Sequence, residues 1–525
     1  MLGLFFLSCG AVLGGPEPVD VNGIGAWRGD GFVDLPGLLR RDVASDAALA
    51  AAELELLRAV NESYAQQAAN PPWTTLPEFL AWGGIDELLA SSIREYFSGK
   101  GVAPPLIDGG LTPLTRAIYN RDAGANAFAF LASLTAELKH HSVRTGNSDL
   151  VARLLAASGA QLRLNTTVRA VSGGSAADDD NEAAATFTVT STDAAGAEND
   201  ECYDVVIVAA PLERAAINVA GLASAPPPGH DLDRGFTDWH VTVVQAAEVD
   251  RAQFAPFFAP SSGAPLPKVL LTTANASEGS GGVPWVVVQP LGKHGKVPDN
   301  STEGAGVWMV YTDAPATDAV LSAIFVNVTH TFRQYWPYTF ARLNPVPVQP
   351  PPAGGAPGGD RGAAAEPLLQ PVILAPGFIN ANAVESLASA MEISVFGARN
   401  AARLAVAHLA KKKKEKEKRR RRGAQQQPPQ PPQPPQGGRV AVVGAGIGGA
   451  AASYYVAQML AGAGQPDPTI VVFERGAEVG GRLKHIEFGA PGKRVKVEVG
   501  GAAWASCNRY MSELANDVGI NVTSR

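Results

Sequence analysis

One stretch near the end of the chain constrains its fold more than any other. Residues 440–443 and 470–473 are two apolar runs of β-type residues, separated by an alanine-rich segment. The glycines between the first run and that segment have GxGxxG spacing: Gly444, Gly446 and Gly449. The order of strand, glycine turn, helix and strand predicts a βαβ unit that binds a dinucleotide, with its phosphates at the helix N-terminus.

Each glycine of this unit, and the acid after it, has a physical role. Gly444 makes the tight turn, Gly446 lets the backbone approach a pyrophosphate, and Gly449 lets helix and strand pack closely. Glu474 directly follows the second apolar run. At the tip of that strand, its carboxylate can accept a hydrogen bond from a ribose hydroxyl.

A second glycine pair follows the acid and favours FAD over NAD. Gly480 and Gly481 are followed directly by Arg482. In many flavoproteins such a pair, with a basic residue, lies beside the flavin phosphates. A plain surface turn is the alternative interpretation of the two glycines.

Composition limits the other function classes. The 525 residues are enough for two or three domains, and 46% apolar content allows a sizeable core. A formal net charge of −7 gives no argument for a nucleic-acid partner, and we expect none. His140 and His141 would lie on different faces of a helix, so we predict no metal site. The three cysteines are too far apart for a disulfide framework or a CxxC site: Cys9, Cys202 and Cys507.

The N-terminus and the sequons bear on cellular location. Residues 1–20 are interpreted as a possible signal peptide or a non-native leader, because the apolar start lacks a basic n-region. No apolar run reaches the length of a membrane span. Six N-x-S/T sequons favour a glycoprotein of the secretory route: Asn61, Asn165, Asn275, Asn300, Asn327 and Asn521.

The chain divides by composition. Residues 21–237 mix helical and strand patterns, residues 238–344 are richer in strands, and residues 368–410 give a strand, a turn and a long helix. Residues 411–437 begin with ten basic and two acidic residues and end in a Gln/Pro tract, which predicts a disordered linker. A solvated linker is favoured over a binding site for nucleic acid or anionic lipid, and over a nuclear signal. Residues 438–525 hold the βαβ unit.

Several segments together resemble the prenylcysteine oxidase family, called farnesylcysteine lyases in plants. They are the glycine-rich stretch, "FERGAEVGGRL", "YDVVIVAAPL" and "VESLASAMEISVFGARNAARL", of which the ASAME-like sequence is the most distinctive. "NAFAFLASL" and "TGNSDLVARLL" also look similar, although the family usually has a second glycine where Thr145 stands. The resemblance covers most of the chain outside residues 1–20, the long loops and the linker.

The order of these segments departs from the family, in which the βαβ unit comes first and the ASAME-like helix last. The resemblance therefore implies an α/β fold whose FAD-binding Rossmann-like domain is split between the two ends of the chain. Residues 21–237 then supply a helical part of the substrate domain and part of the FAD domain, and residues 238–344 supply the sheet of a mixed α+β substrate domain. Residues 368–410 supply the closing strand and helix of the FAD domain.

Two explanations of this order remain open. One is a circular permutation, and the other is a gene model that joins the end of one copy to the start of a neighbouring copy. The Gln/Pro tract and the poor signal peptide favour the second. A linker of about 28 residues reaches roughly 30 Å, so residues 440–443 could still join the sheet of their own chain.

The resemblance also implies an activity. It is the FAD-dependent cleavage of S-farnesyl- or S-geranylgeranyl-cysteine to prenyl aldehyde, cysteine and hydrogen peroxide, with molecular oxygen as acceptor, during degradation of prenylated proteins. We expect the protein in a lysosome or vacuole, or elsewhere in the secretory pathway. No catalytic acid–base pair is identified, because the cofactor carries the hard chemistry. The alternatives are another amine-oxidase-like FAD oxidase, or a non-catalytic product of a chimeric gene model.

Further cofactor residues follow from the resemblance. Val168 lies on a strand, predicted at residues 161–171, that often lends backbone groups to adenine. The helix start beneath the isoalloxazine is expected at residues 390–392, although Glu392 is equally explained as an acid that stabilises a helix's first turn. The predicted FAD-binding residues are Gly444, Gly446, Gly449, Glu474, Gly480, Gly481, Arg482, Val168, Ala390, Met391 and Glu392.

Overall fold

A computed structural model gives the fold of the chain. The structure describes residues 24–27, 32–34, 43–134, 140–173, 186–219, 234–250, 269–272, 284–291, 306–346, 369–423, 438–464, 468–491 and 494–524. The leader predicted at residues 1–20 and residues 424–437 of the predicted linker lie outside the described residues.

Helices dominate the first part of the chain and flank the βαβ unit near its end. In chain order they are α1 (Val43–Ala69), α2 (Leu76–Gly83), α3 (Asp86–Ala90), α4 (Ile93–Gly99), α5 (Pro104–Leu106), α6 (Thr112–Tyr119), α7 (Ala127–Leu134), α8 (Asn147–Ala157), α9 (Leu212–Ala215), α10 (Asp318–Ser322), α11 (Met391–Gly423), α12 (Ile447–Gly462) and α13 (Arg509–Asp517). A π-helical turn (Ile107–Leu111) precedes α6, and a 3-10 helix (Ala381–Ser386) precedes α11. Within the described ranges, no helix is both long and apolar enough to cross a bilayer.

Strands alternate with these helices. They are β1 (Ile24–Trp27), β2 (Phe32–Asp34), β3 (His140–Val143), β4 (Gln161–Arg163), β5 (Thr167–Gly173), β6 (Phe187–Thr192), β7 (Glu198–Tyr203), β8 (Val205–Val208), β9 (Phe236–Ala246), β10 (Glu248–Val249), β11 (Val269–Thr272), β12 (Val287–Pro290), β13 (Gly306–Thr312), β14 (Phe325–Val326), β15 (His330–Ala341), β16 (Ile373–Ala375), β17 (Phe378–Asn380), β18 (Arg439–Val443), β19 (Thr469–Phe473), β20 (His485–Phe488), β21 (Val495–Glu498), β22 (Trp504–Ala505) and β23 (Val522–Ser524).

A six-stranded sheet joins the two halves of the chain. Its order is β16-β17-β8-β18-β19-β4, and β18 pairs in parallel with both β8 and β19. Val442 lies opposite Ile207 on one side and Val472 on the other. All four residues of β8 are buried. A continuous run of β-branched residues is typical of a parallel strand that is covered on both faces of its sheet. The C-terminal βαβ unit therefore supplies the centre of a sheet that earlier strands complete.

A second sheet forms the strand-rich region predicted at residues 238–344. Its order is β15-β9-β13-β12-β11-β1-β2, with antiparallel pairing except between β1 and β11. All seven residues of β13 are buried. Two of its strands come from before residue 35, so the sheet is not built from one continuous stretch.

The predicted disorder of the basic run is wrong for residues 411–423, which continue α11. Lysine, arginine and glutamate are good helix formers, and the buried first half of α11 supplies the nucleus from which the helix extends. Lys412 also pairs with Asp204, which precedes β8, at 2.6 Å. Composition excludes a core for this segment, but it does not exclude a solvated helix.

Two local predictions are also wrong. His140 and His141 lie in strand β3 rather than a helix, because β22 and β23 of the C-terminal unit pair with it on both sides. The single strand predicted at residues 161–171 is two strands in different sheets, β4 and β5. Asn165 separates them with φ of 50°, a left-handed conformation that asparagine tolerates better than most residues.

Candidate functional site

The glycine turn after β18 has the geometry that close approach of a phosphate requires. Gly444 has φ of 102°, which side-chain-bearing residues rarely adopt. A Cβ on Gly449 would lie 1.9 Å from the carbonyl oxygen of Gly444, so only glycine allows α12 to pack this closely on the turn. Gly446 is the N-cap of α12 and carries no side chain to cover the first N–H groups of the helix.

Glu474 stabilises this turn from the end of β19. Its Oε2 accepts a hydrogen bond from the Ala445 N–H, and its Oε1 accepts one from the Gly476 N–H, each at 2.8 Å. The backbone carbonyl of Glu474 accepts from Thr166, which ties β19 to the start of β5. Its contact with a ribose hydroxyl stays a prediction.

The second glycine pair lies against the first turn. The Gly480 N–H donates to the Ala445 carbonyl at 2.9 Å, and Gly480 bridges Gly446 in parallel. Gly480 and Gly481 have φ of 116° and 58°, so both need the freedom of glycine. The two glycine turns therefore form one continuous wall.

A cavity of about 710 Å³ opens along this wall. It is within the roughly 300–1,000 Å³ typical of ligand sites. Ten of the eleven predicted residues line it: Gly444, Gly446, Glu474, Gly480, Gly481, Arg482, Val168, Ala390, Met391 and Glu392. Gly449 is buried behind the wall, where it serves packing as predicted.

The rest of the cavity is apolar and aromatic. Helices α1, α2 and α7 and strands β9, β13 and β15 supply this part, which includes Leu56, Phe79, Phe128, Trp239, Tyr311 and Phe340. Trp239 meets Tyr311 and Phe340 edge to face, with ring centroids 5.2 and 5.9 Å apart. One cavity thus joins a dinucleotide-type turn to an extended apolar pocket.

Comparison with known proteins assigns the two parts of the chain separately. The family described as "Prenylcysteine lyase" matches residues 54–418, and the "NAD(P)-binding Rossmann-like domain" matches residues 442–518. The first match covers more than half of the chain. The chain belongs to the prenylcysteine lyase family.

Individual relatives are distant. Human "Prenylcysteine oxidase 1" is 24% identical over 347 residues, which are 65% of this chain and 62% of the relative. "Farnesylcysteine lyase" of Arabidopsis thaliana is 23% identical over 357 residues, 66% of this chain and 59% of the relative. The chain thus spans about three fifths of the length of the curated relatives it matches. The Rossmann-like match follows the prenylcysteine lyase match, as the displaced order of segments predicted.

The residues present suit a dinucleotide. A Cβ on Gly446 would meet only the Gly480 carbonyl oxygen, at 3.8 Å, so the turn leaves open space there, and the start of α12, where Gly446 and Gly448 line the cavity, can receive phosphates. Thr166, Thr167 and Val168 line the cavity beside Glu474, at the end predicted for adenine. The chain of this prenylcysteine lyase family member therefore contains a C-terminal dinucleotide-binding unit that is completed by residues earlier in the chain.

Glu392 lies at the start of α11, but its carboxylate binds another helix. Its oxygens accept hydrogen bonds from the N–H groups of Tyr510 and Met511, at 2.8 and 2.9 Å, in the first turn of α13. The Tyr64 hydroxyl of α1 also donates to it. Burial raises the pKa of Glu392 to about 7, although these hydrogen bonds favour the charged form. Its position in a first turn was recognised, but the helix that it caps was not.

Two further buried acids were missed by sequence reasoning. Glu498 of β21 accepts a hydrogen bond from the Asn147 N–H at 2.7 Å, at the start of α8. Glu385 of the 3-10 helix pairs with Arg482, with side-chain exposures of 2% and 39%. Each acid joins the C-terminal unit to the rest of the chain. The only signal was an acidic residue within an apolar stretch, which does not reveal its partner.

Proposed function

We propose that this chain is an FAD-dependent thioether oxidase that acts on S-prenylcysteine. The observation that carries the proposal is the single cavity in which the glycine turns meet an aromatic and aliphatic wall. A farnesyl or geranylgeranyl chain needs a long apolar pocket, whereas a small polar amine would not. The names of the relatives, prenylcysteine oxidase and farnesylcysteine lyase, agree with a prenylated amino acid as substrate.

FAD is the preferred dinucleotide because of Gly480, Gly481 and Arg482, which follow the ribose acid and line the cavity. The start of α12 would receive the pyrophosphate, and Glu474 would face the ribose. Residues 166–168 would meet the adenine, and residues 390–392 would lie beneath the isoalloxazine. All of these positions line the same cavity.

The overall reaction is thioether plus oxygen plus water to prenyl aldehyde, cysteine and hydrogen peroxide. FAD, when bound, would supply the two-electron oxidation and pass the electrons to oxygen. The chain's part is to bind and orient the substrate. Phe128, Trp239 and Phe340 would hold the apolar prenyl chain, while water must still reach the carbon beside sulfur to supply the aldehyde oxygen.

The test is expression of the full chain, reconstitution with FAD, and assay of hydrogen peroxide release. We expect a yellow protein with absorbance near about 450 nm, which releases peroxide and prenyl aldehyde with S-farnesylcysteine. A yellow protein that oxidises polyamines instead would favour the amine-oxidase-like alternative. A colourless protein in the presence of FAD would favour a non-catalytic product and refute the proposal.

We also propose a lysosomal or vacuolar location on the secretory route. Four sequon asparagines lie in the described residues and are exposed: Asn61, Asn165, Asn327 and Asn521. Exposure is what glycosylation requires. A mobility shift of the secreted or lysosomal protein on glycosidase treatment supports this location, and an unglycosylated protein in the cytosolic fraction refutes it.

A further inference from the structure

A buried hydrogen-bonded chain of side chains begins at Arg482 on the cavity wall. The Arg482 Nη1 contacts Glu385 Oε1 and donates to the Thr339 carbonyl at 2.6 Å. Ser389 Oγ donates to the same carboxylate oxygen at 2.5 Å, and Asn382 Nδ2 donates to Oε2 at 2.8 Å. Three side chains therefore hold the Glu385 carboxylate in one orientation.

The hydrogen-bonded network continues from Asn382 to a second ion pair. Arg234 Nη2 donates to Asn382 Oδ1 at 2.8 Å. Arg234 binds Glu213 through two bonds of 2.6 and 3.1 Å, and both side chains are less than a tenth exposed. Two arginines thus balance two glutamates. Burial by itself raises the pKa of Glu385, but the charge and hydrogen bond of Arg482, with help from Arg234, lower it to about 2.

The position of Arg482 places this hydrogen-bonded network next to the phosphate end of the cavity. Arg482 comes two residues after Gly480, which bridges Gly446, the N-cap of α12. Phosphates bind at such a helix start. The Arg482 side chain is 39% exposed, whereas that of Glu385 is only 2% exposed. The guanidinium is therefore held through Nη1 by Glu385 and the Thr339 carbonyl, and Arg482 lines the cavity.

We propose that Glu385 is a positioning residue, which holds Arg482 so that the guanidinium meets the pyrophosphate of the bound FAD. The inference rests on the proposed function. An arginine side chain has many rotamers, and fixing it in advance removes an ordering cost from cofactor binding. Its planar guanidinium can bind a carboxylate on one edge and a phosphate on another.

The test is a double-mutant cycle on FAD affinity, measured by quenching of flavin fluorescence in reconstituted full-length protein. Arg482→Met should raise the Kd for FAD roughly 10- to 100-fold, as expected for a lost bond to a charged group. Glu385→Gln should raise it about tenfold when Arg482 is present and less than about twofold in the Arg482→Met background. If Glu385→Gln does not fold, Glu385→Asp, which withdraws the carboxylate by one methylene group, replaces it in the cycle.

Competition by ADP and adenosine separates positioning from loosening of the fold. ADP carries the pyrophosphate and adenosine does not, so Glu385→Gln should weaken ADP about tenfold and leave adenosine unchanged. Glu498→Gln is the matched control, because it neutralises another buried carboxylate, which accepts a hydrogen bond from the Asn147 N–H and is not part of the Arg482–Glu385–Arg234 network. It should leave the ratio of ADP to adenosine affinity unchanged.

Three results would decide against the inference. Equal weakening of ADP and adenosine by Glu385→Gln would show a merely structural role. An undiminished effect in the Arg482→Met background would show that Glu385 does not act through Arg482. An unchanged Kd for FAD would also overturn it while the proposed function stands. A wild-type protein that binds no FAD would instead overturn the proposed function.

Discussion

Glu392→Gln should change the way in which stability depends on pH. The buried carboxyl has its pKa raised from 4.5 to about 7. The folded state therefore holds this proton more tightly than the unfolded chain, and the stability that it contributes is present below pH 4.5 and lost as pH rises through 7. At about 1.4 kcal/mol per pH unit, a difference of 2.5 units corresponds to about 3 kcal/mol. Glutamine has no such proton.

The assay is urea unfolding of wild type and variant at pH 5 and pH 8. The amide also alters the hydrogen bonds to Tyr510 and Met511, but that change is similar at both pH values. The difference in unfolding free energy, variant minus wild type, should therefore rise by about 2–3 kcal/mol between pH 5 and pH 8, because part of the effect already lies below pH 5. Glu513→Gln on α13, where the carboxylate is 40% exposed, is the control and should show a much smaller change. An equal difference at both pH values for Glu392→Gln would show that the folded state does not raise the pKa of this carboxyl.

Two further substitutions test the glycine turn and the contact between β15 and the C-terminal unit. Gly449→Ala places a Cβ 1.9 Å from the Gly444 carbonyl oxygen, so we expect loss of FAD binding by fluorescence titration; wild-type affinity would contradict the predicted cradle. Trp336→Phe removes the bond from the indole N–H to the Val499 carbonyl, 2.8 Å long, and should lower the unfolding free energy by about 1–3 kcal/mol. An unchanged urea midpoint would show that this hydrogen bond does not stabilise the packing of the C-terminal unit on β15.

The sequence predicts the βαβ unit well because its signals are local. Gly444, Gly446 and Gly449 lie within six residues, and the apolar runs beside them read directly as buried strands. The resemblance then adds Val168 and residues 390–392, which the structure brings to the same cavity. Local spacing and family pattern thus suffice for the wall of the site.

The partners of buried charges could not be predicted in the same way. Arg482 and Glu385 are 97 residues apart, and Tyr64 and Glu392 are 328 residues apart. The pattern of apolar residues within one segment indicates that a position is buried. It does not show which distant hydrogen-bond donor contacts an acid at that position. The prediction of disorder for the basic run after residue 410 is wrong for a related reason. Its composition shows that it cannot form a core, but not whether the preceding helix continues through it.

If the βαβ unit completes the sheet of its own chain, it should stay bound to the rest of the molecule after the segment that connects them is cut. A single protease site placed within residues 424–437 allows the chain to be cut between α11 and β18 after folding, in the presence of FAD. With β18 between β8 and β19, the two pieces should elute together in gel filtration and keep absorbance near about 450 nm. Separate elution of the C-terminal piece, with a colourless remainder, would show that β18 and β19 do not belong to the sheet of their own chain.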